Sequence, residues 1–257
     1  MVLIFTKLSY NWNMKVFSWK IRNKSFFKKA GVNIIIFSML ITVFAFSYAG
    51  GTLQVFNGQS TNGAIYSGNK NSNNISLMFN VYWGDEYLDG ILKTLNEHNA
   101  KVTFFVGGVW ASKNEEMLNR MLKEGHELAN HGYNHKDQNR ISQQENYNEI
   151  NQTHQIVKTL TGFEMNLFAA PSGAYNDTTL MVAENLGYKT IMWTRDTIDW
   201  RDKDKNLILS RAIKNASGGD LVLMHPTEKT LEALPEILQE LEKIGLNITT
   251  VSQTIAQ

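Results

Sequence analysis

The chain has 257 residues, with 25 basic and 24 acidic side chains, six histidines and no cysteine. The near-neutral balance gives no electrostatic reason to expect a nucleic-acid partner, and the lack of cysteine excludes disulfides, thiolate nucleophiles and thiolate metal ligands. The length suits a single folded domain of about 180 to 200 residues behind an N-terminal extension.

In that extension Lys15, Lys20, Arg22, Lys24, Lys28 and Lys29 precede the apolar run "VNIIIFSMLITVFAFSYA". A one-sided positive flank before about 18 apolar residues reads as an export signal or a membrane anchor. Ser47 and Ala49 stand where signal peptidase needs small residues, which allows cleavage after Ala49. The long basic region fits either a start at Met14 or an uncleaved anchor. Both versions of residues 1–49 place the remainder outside the cytoplasm, secreted or held at the cell envelope. Residues 50–74, including "NGQSTNGAIYSGNKNSNN", are rich in Gly, Ser and Asn and read as a flexible linker.

From residue 75 to 257 short apolar runs alternate with amphipathic stretches, the pattern of a mainly parallel sheet covered by helices. "ISLMFNV", "KVTFFVGG", "LFAAPSG", "KTIMWTRD", "DLVLMHP" and "NITTVS" read as strands. Leu88, Ile91, Leu92 and Leu95 follow the spacing of a helix with one buried face. "NEEMLNRMLKEG", "QQENYNEINQTHQIVKTLTG", "DTTLMVAENLG" and "TLEALPEILQELEKIG" read likewise, several ending at a Gly suited to a left-handed C-cap. The expected fold is α/β and barrel-like. Asn80, His131, Asp196 and His225 fall at strand ends, where the loops of such a barrel converge on one pocket.

His131 and His135 stand four apart in "ANHGYNH", a candidate metal pair. Gly132 occupies the position where a helical zinc-protease motif needs its Glu, so the segment reads as a loop or helix start. His225 follows an apolar strand and precedes Pro226, which suits a general acid. "DTIDWRD" offers Asp199 to orient a histidine and Trp200 as a pocket wall. The turn in "AAPSGAYND" offers backbone N–H groups, Ser172 among them, to an oxyanion.

Taken together, "FNVYWG", "HGYNH", "FAAPSGAY", "DTIDW" and "LVLMHP" resemble, in order and spacing, the five motifs of the polysaccharide deacetylase family. This is the NodB-homology group, carbohydrate esterase family 4, and the likeness runs from about Ile75 to Ser252. The resemblance implies a distorted (β/α) barrel that removes acetyl groups from chitin-like polymers, peptidoglycan or related glycans. It implies a divalent metal, zinc by preference, on His131 and His135. It further implies His225 as general acid, Asp199 as its tuning partner and Leu223 as part of the acetyl pocket.

Two positions depart from the family pattern. Where the family carries adjacent aspartates, one the base and the next a metal ligand, this chain has Asn80 and Val81. Where an Arg steadies the base, it has Ala169. The losses are coherent, because an Arg without its carboxylate would be an uncompensated buried charge. A third ligand is therefore expected from Asp85 or Glu86, folding back just past "YWG", in preference to the amide oxygen of Asn80. The expected activity is extracytoplasmic hydrolysis of N-acetyl groups on peptidoglycan or another envelope glycan, slowed or re-wired because Asn80 cannot accept a proton. The alternative is a glycan-binding protein without catalysis, with Trp83, Trp193 and Trp200 as stacking faces. An envelope scaffold is disfavoured, since it has no use for His131, His135, Asp199 and His225 together. The membrane is an expected partner only through an uncleaved N-terminal segment.

Overall fold

The computed structural model describes residues 63–256, together with Ile34, Phe37, Ser38 and Ile41. The chain divides into two compact units, Met1–Leu53 and Gln54–Gln257. In the first, the four described residues are helical and exposed. Most of the export signal or anchor, its cleavage site and the first half of the linker lie outside the described residues. Among the described residues, no helix is long and apolar enough to cross a membrane.

The second unit is a curled, all-parallel sheet wrapped by helices. Its strands are β1 (Asn74–Val81), β2 (Thr103–Val106), β3 (Glu127–Asn130), β4 (Leu167–Phe168), β5 (Lys189–Thr190), β6 (Arg195–Asp196), β7 (Leu221–Met224) and β8 (Asn247–Ile248). They are ordered β5-β4-β3-β2-β1-β7-β6, with β8 also pairing to β1. Helices α1 (Asp85–Glu97), α2 (Gly108–Ala111), α3 (Glu115–Lys123), α4 (Gln143–Thr161), α5 (Asp177–Asn185), α6 (Lys205–Ile213), α7 (Glu228–Lys243) and α8 (Val251–Ile255) complete it. This is the distorted (β/α) barrel that the sequence led us to expect.

The alternation of side chains along β1 organises the interior. Ile75, Leu77, Phe79 and Val81 pack into the layer between sheet and helices. Met78 joins the core inside the barrel with Phe105, Ala129, Leu167, Ala169, Leu221 and Leu223. Asn80 shares the parity of Met78 and lines the pocket at the barrel mouth. Central strands read as continuous apolar runs because both of their faces are buried.

Three sequence expectations change. "KTIMWTRD" is two strands, β5 paired to β4 and β6 paired to β7, at opposite edges of the curled sheet. The break between them is where the barrel fails to close. "HELAN", absent from the expected strands although His131 just after it was expected at a strand end, contains β3, central in the sheet. Residues 63–73 are not a free linker: Ile65 bridges Ile191, Gly68 N–H donates to Gly219, and the hydroxyls of Tyr66 and Tyr175 meet at 2.8 Å. An Asn- and Gly-rich composition disguised backbone pairing, which needs no apolar side chains.

Candidate active site

His131 follows β3, and its Nδ1–H donates to the carbonyl of Ala169 at 2.8 Å. That bond makes Nε2 the acceptor nitrogen, and Nε2 is buried without a partner among the described residues. Burial, and then the neighbouring His135, push the His131 pKa down to about 3. The turn to His135 is held by the buried carboxylate of Glu149, which accepts from the N–H groups of Tyr133 and Asn134 at 2.9 and 2.8 Å. Gly132 takes a left-handed φ of 75°, and Gly132 N–H donates to Asn130 Oδ1 at 2.9 Å. The segment is a loop, as the glycine implied. The His131 and His135 rings lie 5.1 Å apart between centroids, and burial lowers the His135 pKa as well.

His225 follows β7. Its backbone N–H and its Nδ1–H donate to the two oxygens of Asp199 at 2.6 and 2.8 Å, and Thr230 Oγ1–H adds a third bond at 2.6 Å. Asp199 is almost fully buried. The carboxylate therefore orients His225 and leaves Nε2 for the pocket, as a positioned acid or base requires. Thr230, from the first turn of α7, was not read from the sequence. Its only signal is the threonine spacing of the Thr227 cap, which bonds Thr230 N–H.

The pocket has a volume of about 510 Å³ and is lined by Asn80, Tyr82, His131, His135, Ser172, Trp193, Asp196, Trp200, Leu223 and His225. The fold thus brings together both histidine sets, Ser172, Trp200 and Leu223. Ser172 has a left-handed φ of 56° in the turn after β4, and Trp200 is 54% exposed at the rim. Tyr82 is the lining residue that sequence reasoning missed. It stacks on His135 at 3.8 Å between centroids, 29° from parallel. An aromatic two positions beyond Asn80 was the available signal.

Asp85 and Glu86 do not fold back to the histidine pair. They open α1, and Asp85 Oδ1 is taken by the indole N–H of Trp110. Both line a separate cavity beyond Tyr82. Gly84, at φ 84°, turns the chain away, and a Cβ there would stand 2.1 Å from Pro226 O. Trp83 is not in the main pocket either; it lies nearly parallel to the His225 ring at 6.1 Å. Val81 faces the helix layer.

The residues therefore do not fit the divalent-metal centre that the resemblance implied. A catalytic zinc takes three protein ligands and a water. Among the described residues, no three His, Asp or Glu side chains are grouped so that they could hold a metal ion. The remaining third donor is the neutral amide of Asn80, whose Oδ1 is buried and unpartnered.

The fold and this mouth of histidines and aromatic walls define a barrel of the carbohydrate-esterase class. The chain belongs to the polysaccharide deacetylase family, whose profile matches residues 67–191. It is 32% identical to a peptidoglycan-N-acetylglucosamine deacetylase of Bacillus cereus, over 70% of this chain and 87% of that protein. It is also 32% identical to YlxY, an uncharacterized protein of Bacillus subtilis, over 74% of this chain but only 59% of YlxY's length. Among solved structures, a pseudoenzyme of carbohydrate esterase family 4 from Bacillus anthracis superposes with a TM-score of 0.73 at 33% identity. That match covers 76% of this chain and 69% of the other.

Proposed function

We propose that this protein is an extracytoplasmic glycan-binding member of the deacetylase family, holding an N-acetylated envelope glycan of the peptidoglycan type without efficient hydrolysis. The observation that carries this reading is that, among the described residues, no Asp or Glu completes a metal-holding set with the histidine pair. Asn80 cannot take a proton from water, and losing a general base costs about 10² to 10⁴ in rate. The binding surface is intact. Tyr82, Trp193 and Trp200 offer aromatic faces to the C–H face of a sugar, Leu223 offers an apolar seat for an acetyl methyl, and Asn80 and Ser172 supply polar edges. The likeness to a Bacillus anthracis pseudoenzyme supports the lack of efficient hydrolysis, and the likeness to a peptidoglycan-N-acetylglucosamine deacetylase supports the kind of glycan. The basic and apolar N-terminal segment supports export or anchoring.

A second reading, residual deacetylation, is favoured by the retained chain from Thr230 through Asp199 to His225. In it His225 Nε2 takes a proton from water as the water adds to the acetyl carbonyl, the backbone at Ser172 faces the oxyanion, and the same Nε2 returns the proton to the amine as the C–N bond breaks and acetate leaves. Calorimetric binding and acetate release on N-acetylglucosamine oligomers separate the two. Binding with acetate at background, unchanged by chelator, is expected. Catalytic acetate release abolished by His225→Ala would replace this reading with the second.

A further inference from the structure

Beyond Tyr82 lies a second cavity of about 500 Å³, lined by Trp83, Asp85, Glu86, Val109, Trp110 and Lys113 together with Tyr82 itself. Tyr82 is thus a wall common to both cavities, and it is 37% exposed. The loop carrying it is pinned. Trp83 lies against His225, Gly84 packs on Pro226, and Asp85 is bound to the Trp110 indole. Trp83 also meets Tyr82 edge to face at 6.0 Å. Such a surface is formed before any ligand arrives, which keeps the entropy cost of binding low.

The chemistry of the second cavity is specific. Its floor is aromatic, and Val109 is 38% exposed at its edge. The side chains of Glu86 and Lys113 form no hydrogen bond or ion pair among the described residues. One is an acceptor and the other a donor, of opposite charge, so the rim suits neutral hydroxyl-rich units better than a polyanion. The volume lies within the range of about 300 to 1,000 Å³ typical of small-ligand sites.

We propose that this second cavity is a saccharide subsite that holds neighbouring units of the same glycan chain, with Tyr82 as the platform shared between the two cavities. The ligand is then a polymer segment, not an isolated acetylated sugar. This rests on the glycan-binding reading above and extends it along the chain.

The test is calorimetry on the whole chain with the dimer and the hexamer of N-acetylglucosamine. The hexamer should bind at least about tenfold tighter than the dimer, beyond the few-fold advantage of offering more registers. Glu86→Ala with Val109→Ser should lower hexamer affinity to near that of the dimer and leave dimer affinity unchanged. Lys113→Ala, on another element, should lower hexamer affinity in the same selective way. A hexamer advantage of no more than a few-fold, untouched by these variants, would overturn the subsite while leaving the glycan-binding reading intact. Binding of neither oligomer would overturn both.

Discussion

The two positions where the family carries aspartates are not equivalent in this backbone, and restoring them separately exposes the difference. Asn80 lines the pocket beside His131 and His135. Val81 is fully buried between sheet and helices, and it is paired in register with Val106 of β2. In Val81→Asp the lost burial of the valine costs about 2 kcal/mol. Burying a carboxyl without a partner adds about 2 to 3 kcal/mol even in its neutral form. The total, about 4 to 5 kcal/mol, is a large share of a typical stability of about 5 to 15 kcal/mol. Asn80→Asp places its charge beside two imidazoles and should cost no more than about 1 to 2 kcal/mol. Urea unfolding followed by tryptophan fluorescence measures both. At a slope of about 2 kcal/mol/M, Val81→Asp should lower the midpoint by about 2 M and Asn80→Asp by less than about 1 M. Zinc titration of the double variant completes the test. A Val81→Asp midpoint equal to that of the parent, with one tightly bound zinc in the double variant, would refute the reasoning. It would mean that the end of β1 turns to present residue 81 to the pocket.

Acid should destabilise the protein through its buried histidines. His131 and His126 are pushed down by burial to about 3 and about 4, against about 6.5 in an unfolded chain. Below pH 6.5 the unfolded state takes up protons that the folded state refuses, so stability is complete above about 6.5 and falls as the pH drops toward 4. At pH 5 each histidine contributes a loss of about 2 kcal/mol relative to pH 7.5, and a urea midpoint that is flat between these values would contradict the assignment. Asp199→Ala strands the donors of His225 and Thr230 and should cost about 3 kcal/mol by the same unfolding assay; a cost below about 1 kcal/mol would show that water replaces the carboxylate. Trp200→Ala, at an exposed rim position, should change stability by less than about 0.5 kcal/mol but weaken oligomer binding about tenfold, and unchanged affinity would remove Trp200 from the glycan face.

Much of the molecule was legible in the order of residues, because local periodicity encodes which face of an element is buried. Once "ISLMFNV" is read as a strand, the two-residue period of its side chains puts Asn80 and Val81 on opposite faces. The spacing of His131, His135, Asp199 and His225 carries the family likeness, and the sheet brings all four to one end of the barrel. That Asn80 and Val81 are not carboxylates is likewise a property of the sequence alone.

Tertiary structure decided where the neighbouring groups point. Asp85 and Glu86 lie five and six positions beyond Asn80, close enough in the chain to serve the histidines, yet the Gly84 turn against Pro226 and the bond to Trp110 send them to the far side of Tyr82. The splitting of "KTIMWTRD" between two sheet edges depends on contacts with β4 and β7, strands remote from it in the chain or from each other in the sheet. Likewise Ile65 and Gly68 are fastened by backbone bonds to Thr190 and Gly219, which composition does not reveal. Periodicity acts over a few residues and sets faces. The direction of a loop is set by the side chains and backbone that it meets across the fold, and those become neighbours only when the sheet has curled.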